Sequence, residues 1–111
     1  MSKATECELC SPDAVLLENA LAYVRLDSNS LSRGHVLVVP KQHIASLSDL
    51  AAEDDRIVGE VVRRAAAIAH ERGIATAGYR TVFNTNRDAG QTVFHVHLHL
   101  LGGRSMNWPP G

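Results

Sequence analysis

The segment His95-Val96-His97-Leu98-His99 carries three histidines at alternate positions, separated by apolar residues. Alternate residues of an extended strand face the same way, so the imidazoles are predicted to share one face of a strand. An imidazole that leaves water without a partner costs about 1 to 3 kcal/mol, so three of them do not suit an ordinary core. The alternative is an exposed face on which the histidines are incidental. The spacing favours a strand with one face built for chemistry.

Aligned imidazoles support two kinds of chemistry, metal ligation or nucleophilic and acid–base work near neutral pH. The loop before the segment offers amides, a hydroxyl and backbone N–H groups that suit phosphate oxygens, from Asn84, Gly90, Gln91 and Thr92. Taken alone, Asp88-Ala89-Gly90 indicates only a turn. Together these residues predict a substrate that contains phosphate.

The remaining pattern predicts one α+β domain over residues 1–111. Strands are expected at Val15 to Leu26, at His35 to Val39 up to Pro40, at Gly78 to Phe83, and from Thr92 to the Gly102-Gly103 pair. Between Asp49 and Gly73, apolar residues recur at helical spacing and predict one long helix; they are Ile57, Val61, Ala65 and Ile68. Gly73 is placed to end that helix.

The composition argues against several classes of partner. Eleven basic and twelve acidic residues give a net charge of −1, so no overall field attracts nucleic acid or an anionic membrane. The apolar runs are short, and Met1 to Glu6 lacks the features of a secretory signal. A cytoplasmic protein with neither nucleic acid nor membrane as partner is expected.

The stretch His95 to Leu101 resembles the signature of the histidine-triad (HIT) family, in which histidines alternate with apolar residues and two apolar residues close the motif. Three further stretches resemble the HINT branch of that family, the purine nucleoside phosphoramidases; they are Gly34 to Ile44, Gly78 to Asn84 and Gly102 to Gly111. The likeness covers roughly residues 20 to 111. It implies an antiparallel sheet of about five strands with one long helix, and sheets paired in a homodimer.

The resemblance also implies a two-step mechanism on a purine nucleoside phosphoramidate, such as a conjugate of AMP and an amine. His97 displaces the amine and forms a nucleotidyl-histidine, which water then hydrolyses. A neutral imidazole is a competent nucleophile, which agrees with this role. His99, Gln91 and Thr92 occupy the family's phosphate-contacting positions. His35 corresponds to a further family histidine that orients the nucleophile or relays a proton.

Asp27 matches the family aspartate that accepts hydrogen bonds from the ribose hydroxyls. The family usually has large apolar residues two before and one after this aspartate, where this chain has Arg25 and Ser28. The preferred base is therefore open. In the tail, residues 104–111, the resemblance implies that Trp108 reaches the substrate of the neighbouring subunit. Trp108 is also the only tryptophan in the sequence. The Pro109-Pro110-Gly111 ending can neither extend a helix nor readily join the hydrogen-bond ladder of a β-sheet.

The N-terminal segment, residues 1–14, carries Cys7 and Cys10 in a CELC spacing that suits a metal knuckle, a redox pair or a small disulfide loop. Thioredoxin-like chemistry does not fit, because Ser11-Pro12-Asp13 follows rather than a helix. Resemblance to the wider histidine-triad group implies one structural zinc per chain, held by both cysteines, His43 and His95. Without metal, the cysteines are reduced thiols and His95 forms hydrogen bonds within the site.

Other functions remain open at this point. A dinucleoside polyphosphate hydrolase or nucleotidyltransferase of the same family uses the same His97 chemistry, although the WPPG ending favours a phosphoramidase. A nucleotide-binding regulatory module belongs to a different class. A metalloenzyme with zinc on all three triad histidines would need an open coordination position and no ligation by the CELC cysteines.

Overall fold

The computed structural model describes residues 9–10, 15–19, 21–26 and 35–111. These form five strands and one long helix, in the order β1 (Val15–Glu18), β2 (Ala22–Leu26), β3 (Val36–Pro40), α1 (Asp55–Glu71), β4 (Tyr79–Val82) and β5 (Leu98–Gly102). All neighbouring strands are antiparallel, in the sheet order β1-β2-β3-β5-β4. The predicted α+β class, with about five strands and one long helix, is confirmed.

Helix α1 covers one face of the sheet. Its apolar stripe packs on inward-facing residues of the three central strands, and the buried cluster contains Ala22, Val24, Val36, Val38, Val61, Ala65, Ile68, Ala69, Leu98 and Leu100. Three of the four residues predicted to form the helix stripe are buried here, whereas Ile57 is half-buried. The side chains that alternate with these sheet residues point to the opposite face, which carries the catalytic candidates.

The opposite face has its own small core around β2 and β3. Tyr23, Leu37 and Val39 pack there against Leu9 from the N-terminal segment. The Tyr23 hydroxyl donates to the carbonyl oxygen of Leu9. This contact places Cys10, the next residue, beside the sheet.

The expected single strand from Val15 to Leu26 is instead two strands joined by a tight turn. Asn19 forms the turn, because its side-chain oxygen accepts hydrogen bonds from the backbone N–H groups of Leu21 and Ala22, at 2.8 and 2.9 Å. Its amide also donates to Glu60 on α1, at 2.7 Å. Asparagine favours such turns because its side chain replaces a backbone partner.

The long helix begins later than the sequence pattern predicts. Two short 3₁₀ turns, Leu47–Asp49 and Ala52–Asp54, precede it. Ser46 accepts from the backbone N–H of Ser48 at the start of the first turn, and Asp54 accepts from the backbone N–H of Ala51 at the second, which runs directly into α1. The predicted end is confirmed, since Gly73 has φ of +74° just after the helix. In the described ranges, no helix combines the length and apolar character needed to cross a bilayer.

The last strand is also shorter than predicted, beginning at Leu98 rather than Thr92. Val36 and Val38 of β3 lie opposite Leu100 and Leu98, so the same register would bring Pro40 opposite Val96. Proline has no N–H to donate, and the ladder ends before that point. The backbone N–H of Val96 donates instead to Ile44, at 2.7 Å. Two of the three motif histidines therefore precede the strand.

Candidate active site

The three motif histidines occupy different environments although their spacing is regular. His95 is fully buried, whereas His97 and His99 are half-buried. The intervening Val96 and Leu98 are buried. The predicted alternation of apolar and imidazole side chains is therefore present. His95, however, is less exposed to solvent than His97 and His99. This difference predicts different roles for His95 and for the pair that follows.

His95 lies in a cluster of metal-ligand type with Cys10 and His43. The Cys10 Sγ is 3.0 Å from the Nδ1 of His43 and 3.2 Å from the Nδ1 of His95. One potential ligand atom from each residue lies within 4.8 Å of the other two. Sulfur and imidazole nitrogen are the donors that zinc prefers, so these three residues fit a zinc site. Cys7, the fourth predicted ligand, lies outside the described residues.

The orientation of His95 suits metal binding. Its Nε2 is 2.7 Å from the carbonyl oxygen of Pro40, and a carbonyl can only accept, so Nε2 carries the proton. The Nδ1 lone pair therefore points to Cys10. Burial is the main cause that lowers the pKa of His95; the Pro40 hydrogen bond opposes it, and proximity to His43 and His97 adds to the lowering. A neutral imidazole with its other nitrogen held by a carbonyl is the usual form of a metal ligand.

His97 is held as a different tautomer. Its Nδ1 lies 2.8 Å from the backbone carbonyl of His95, so Nδ1 is the protonated nitrogen. The lone pair is then on Nε2. His97 is half-buried, and its ring meets that of His99 edge to face with centroids 4.9 Å apart. A fixed neutral imidazole with an available Nε2 can act as a nucleophile or as a base.

His35 and His99 form a direct imidazole pair. The Nε2 of His35 is 2.9 Å from the Nδ1 of His99, so one proton lies between these two nitrogens. His35 precedes β3 and His99 lies in β5, and the antiparallel pairing of these strands brings the two rings together. Residues 64 positions apart thus form a unit that can hold or pass a proton next to His97.

The loop before the motif is shaped by backbone conformation. Arg87–Ala89 forms a short 3₁₀ turn, and Gly90 follows with φ of +86°, a left-handed conformation that favours glycine. The Gly90 N–H donates to Arg87 in this turn. Thr92 is exposed, and within the described ranges its hydroxyl forms no hydrogen bond. Thr92 is therefore the residue of this loop best placed to donate to a ligand, while Asn84 is half-buried two residues after the end of β4.

Gln91 is expected to contact phosphate, and in the structure its side chain is buried and forms hydrogen bonds within the chain. Its amide nitrogen donates to the carbonyl oxygens of Ala45 and Val93, at 2.7 and 3.1 Å, and its oxygen accepts from the N–H of Asn86, at 2.9 Å. Both amide protons are then used. Gln91 joins the loop to the chain beyond β3, and both of its side-chain donors are engaged there.

The tail extends over the edge of the sheet near β4. Arg80 of β4 donates to the carbonyl oxygen of Asn107, at 3.0 Å. Trp108 follows and is 81% exposed, so within this chain it has little packing. Asp27 and Ser28, the expected ribose ligand and its neighbour, lie outside the described residues. Of the residues predicted for the site, the structure brings together the three motif histidines, His35, His43 and Cys10.

Two features of this site had no clear signal in the sequence. The Pro40 carbonyl orients His95, yet proline at the end of a strand indicates only that the ladder stops. Gln91 is buried and bonded three times, yet it stands in a polar loop where exposure is expected. In each case the contact joins residues more than 40 positions apart, which no local sequence pattern shows.

Comparison with known proteins agrees with these features. The HIT domain family profile matches residues 8–106. The purine nucleoside phosphoramidase of Escherichia coli (strain K12) is 38% identical over 95 residues, which cover 86% of this chain and 80% of that protein.

Two solved structures share the fold. A HIT family hydrolase from Legionella pneumophila has a TM-score of 0.91 at 39% identity and covers 95% of this chain and 99% of that one. A zinc-bound histidine triad family protein from Mycobacterium smegmatis has a TM-score of 0.74 at 31% identity and covers 91% of this chain and 77% of that one. By its motif, its fold and these matches, the chain belongs to the HIT, or histidine-triad, family.

Proposed function

We propose that this protein hydrolyses purine nucleoside phosphoramidates, with His97 as the nucleophile at the α-phosphorus. The observation that carries the proposal is the hydrogen bond from the His97 Nδ1–H to the His95 carbonyl, at 2.8 Å. It fixes the tautomer that leaves the lone pair on Nε2. It also supports the positive charge that develops on the ring when Nε2 attacks, since a carbonyl oxygen accepts more strongly from a charged donor.

In the first step, Nε2 of His97 forms a bond to phosphorus and the phosphorus–nitrogen bond of the substrate breaks. The departing amine takes a proton, which we assign to the Nε2 of His99. In this assignment the His35–His99 pair starts with one positive charge: one proton lies in their 2.9 Å hydrogen bond and Nε2 of His99 carries another, so its transfer to the amine leaves two neutral rings. The nucleotide is then joined covalently to His97.

In the second step, water attacks phosphorus and the bond to His97 breaks. His99 lost a proton in the first step and now takes one from the water. The products are the amine and a nucleoside monophosphate, and both histidines return to their starting states. The edge-to-face contact between the rings of His97 and His99 supports this division of roles.

The substrate class rests on similarity together with the site. A relative 38% identical to this chain is named a purine nucleoside phosphoramidase. In this proposal the Thr92 hydroxyl, Asn84 and the backbone around Gly90 contact the phosphate, Asp27 binds the ribose, and Gln91 positions the loop. Positioned donors of this kind stabilise charge on phosphoryl oxygens in the transition state.

We propose further that Cys7, Cys10, His43 and His95 hold one zinc ion with a structural role. The described ligands are of the right chemical types and lie close together, and a relative of the same fold is zinc-bound. Two thiolates and two imidazoles leave no open position, so the metal would anchor the N-terminal segment to the sheet. No chemical step depends on it.

The last part of the proposal is a homodimer in which the tail completes the partner's active site. Strand β4 lies at the sheet edge, and Trp108 is mostly exposed within one chain. A large ring on a stiff tail gains a few kcal/mol when a second surface covers it. The partner's substrate site is the surface we propose.

The experiment that tests the proposed function compares wild type with His97→Ala. With an adenosine phosphoramidate, we expect kcat to fall by about 10³-fold or more, while calorimetric affinity for AMP and the melting temperature change little. The control is His70→Ala, an exposed histidine at the end of α1, which should leave kcat unchanged. Hydrolysis by His97→Ala at the wild-type rate would overturn the proposal. Turnover of dinucleoside polyphosphates but not phosphoramidates would assign a different substrate to the same residue.

A further inference from the structure

Arg25 in β2 carries a polar atom that the proposed chemistry does not use. The side chain is half-buried, and its Nε is buried with no hydrogen-bond partner; it is the only such atom in the described part of the chain. No carboxylate in that part pairs with its guanidinium. Buried polar groups without partners are rare in native proteins, because desolvation is not compensated. A ligand that accepts hydrogen bonds would supply the missing compensation.

The strand register places Arg25 in line with the catalytic residues. Arg25 of β2 lies opposite Leu37 of β3, and Leu37 lies opposite His99 of β5. Residues directly opposite each other share a face, so all three lie on the face that α1 does not cover. Arg25 and His99 are two strand spacings apart, about 10 Å. That separation matches the length of a nucleoside monophosphate from its phosphate to its base.

We propose that Arg25 selects guanine as the base of the substrate. This inference rests on the proposed function, because it takes the phosphate to lie at His97 and His99. A nucleotide that extends from there along the row passes Leu37, whose side chain is buried in the small core of this face, and brings its base to Arg25. The guanidinium then donates two hydrogen bonds to O6 and N7 of guanine.

The preference follows from the donors and acceptors of each base. Guanine presents two adjacent acceptors, O6 and N7, which match the paired N–H groups of arginine. Adenine presents N7 beside an amino group, which is a donor and leaves one guanidinium N–H without a partner. An unpaired donor in a partly buried site costs more than the bond itself is worth. We therefore expect a preference for guanine of about tenfold or more.

The test compares kcat/KM for guanosine and adenosine phosphoramidates that carry the same amine. The variants are Arg25→Leu, which removes both donors, and Arg25→Lys, which keeps the charge without the paired geometry. Arg63→Leu, on the exposed side of α1, is the control for loss of one positive charge. Wild type and the control should favour guanosine about tenfold or more. In Arg25→Leu the guanosine value should fall by about tenfold, and the adenosine value should stay within about threefold of wild type. Arg25→Lys should also lose most of the preference.

Folding can be checked independently, because Arg25→Leu removes an unpaired donor and should melt no earlier than wild type. Equal loss on both substrates would overturn the inference, since Arg25 would then bind a group common to both. Equal kcat/KM for the two substrates in wild type would overturn it as well, while leaving the phosphoramidase function in place. If wild type hydrolyses neither substrate, the proposed function fails. Calorimetry then tests base selection by Arg25 directly. Tighter binding of GMP than of AMP by wild type, lost in Arg25→Leu, would support this selection. Equal binding of GMP and AMP by wild type would overturn it.

Discussion

His97 donates its Nδ1–H to the backbone carbonyl of His95, and this 2.8 Å contact links two sites with different roles. His95 in turn donates its Nε2–H to Pro40, at 2.7 Å, and directs its other nitrogen to Cys10. The proposed nucleophile is therefore oriented by the backbone of a residue that is itself held by the end of β3. The geometry of His97 depends on how firmly His95 is fixed.

The proposed zinc site gives the first prediction. Protein prepared without chelators should hold about one zinc per chain by elemental analysis, and Cys10→Ser should lower both the zinc content and the melting temperature, the latter by about 5 °C or more. Phosphoramidase activity should persist in the zinc-depleted protein, since no step uses the metal. His70→Ala serves as a control with unchanged zinc. Wild-type protein without zinc would contradict the ligand assignment.

Gln91 gives the second prediction, which separates positioning from phosphate contact. Gln91→Ala removes three hydrogen bonds and leaves the N–H of Asn86 and the carbonyl groups of Ala45 and Val93 without these partners, so the free energy of unfolding should fall by about 2 to 3 kcal/mol. Gln42→Ala is the matched control; Gln42 is exposed, its one bond to Asp54 measures 3.3 Å, and its loss should cost about 0.5 kcal/mol or less. Equilibrium urea denaturation measures both. Equal stability of Gln91→Ala and wild type would contradict the positioning role.

The contact between Asn19 and Glu60 gives a prediction about pH. The hydrogen bond from Asn19 is the main cause that lowers the pKa of Glu60, with Arg64 and Arg63 contributing in the same direction. A pKa lower in the folded than in the unfolded protein stabilises the fold above the unfolded value and loses this effect as pH falls. Wild type should therefore exceed Glu60→Gln in unfolding free energy at about pH 7, and the difference should shrink by about pH 3. A difference that grows on acidification would contradict this assignment.

The tail gives the fourth prediction. Deletion of Met106 to Gly111 should change the relative kcat/KM of phosphoramidates that share a nucleotide but differ in the amine, because the tail is proposed to face the leaving group of the partner's substrate. His97 chemistry should survive the deletion. Light scattering should give a dimer mass for the full-length protein. A monomer mass, or the same amine selectivity after deletion, would remove the tail from the account.

The sequence predicted the fold class and the cluster of histidines well, because both follow from local periodicity. Apolar residues repeat at helical spacing between Ile57 and Ile68, and histidines alternate with apolar residues from His95 to His99. These patterns do not depend on which elements meet in space. The packing of α1 on Val36, Val38 and Leu98 follows directly from them.

The boundaries of elements and the roles of polar side chains were harder to predict, because they depend on contacts between distant residues. Strand β5 begins only at Leu98, because an earlier start in the same register would place Pro40 opposite Val96. The predicted strand from Val15 to Leu26 is divided at Asn19, whose side-chain oxygen accepts hydrogen bonds from backbone N–H groups in the turn. The Gln91 side chain donates a hydrogen bond to the carbonyl oxygen of Ala45, which is 46 positions away in the chain. No local pattern indicates the first or the last of these contacts, whereas the Asn19 turn involves residues only two and three positions away.

The most direct test of the account is to trap the covalent intermediate. Wild-type protein mixed with a guanosine phosphoramidate is quenched with base within the first turnovers, because phosphoramidate bonds to histidine survive alkaline conditions, and its peptides are mapped by mass spectrometry. The account predicts a nucleotidyl group on the peptide that contains His97, located on that residue, and its absence in His97→Ala. A burst-free reaction with no adduct, or an adduct on His95 or His99 with His97 unmodified, would contradict the central claim that His97 is the nucleophile.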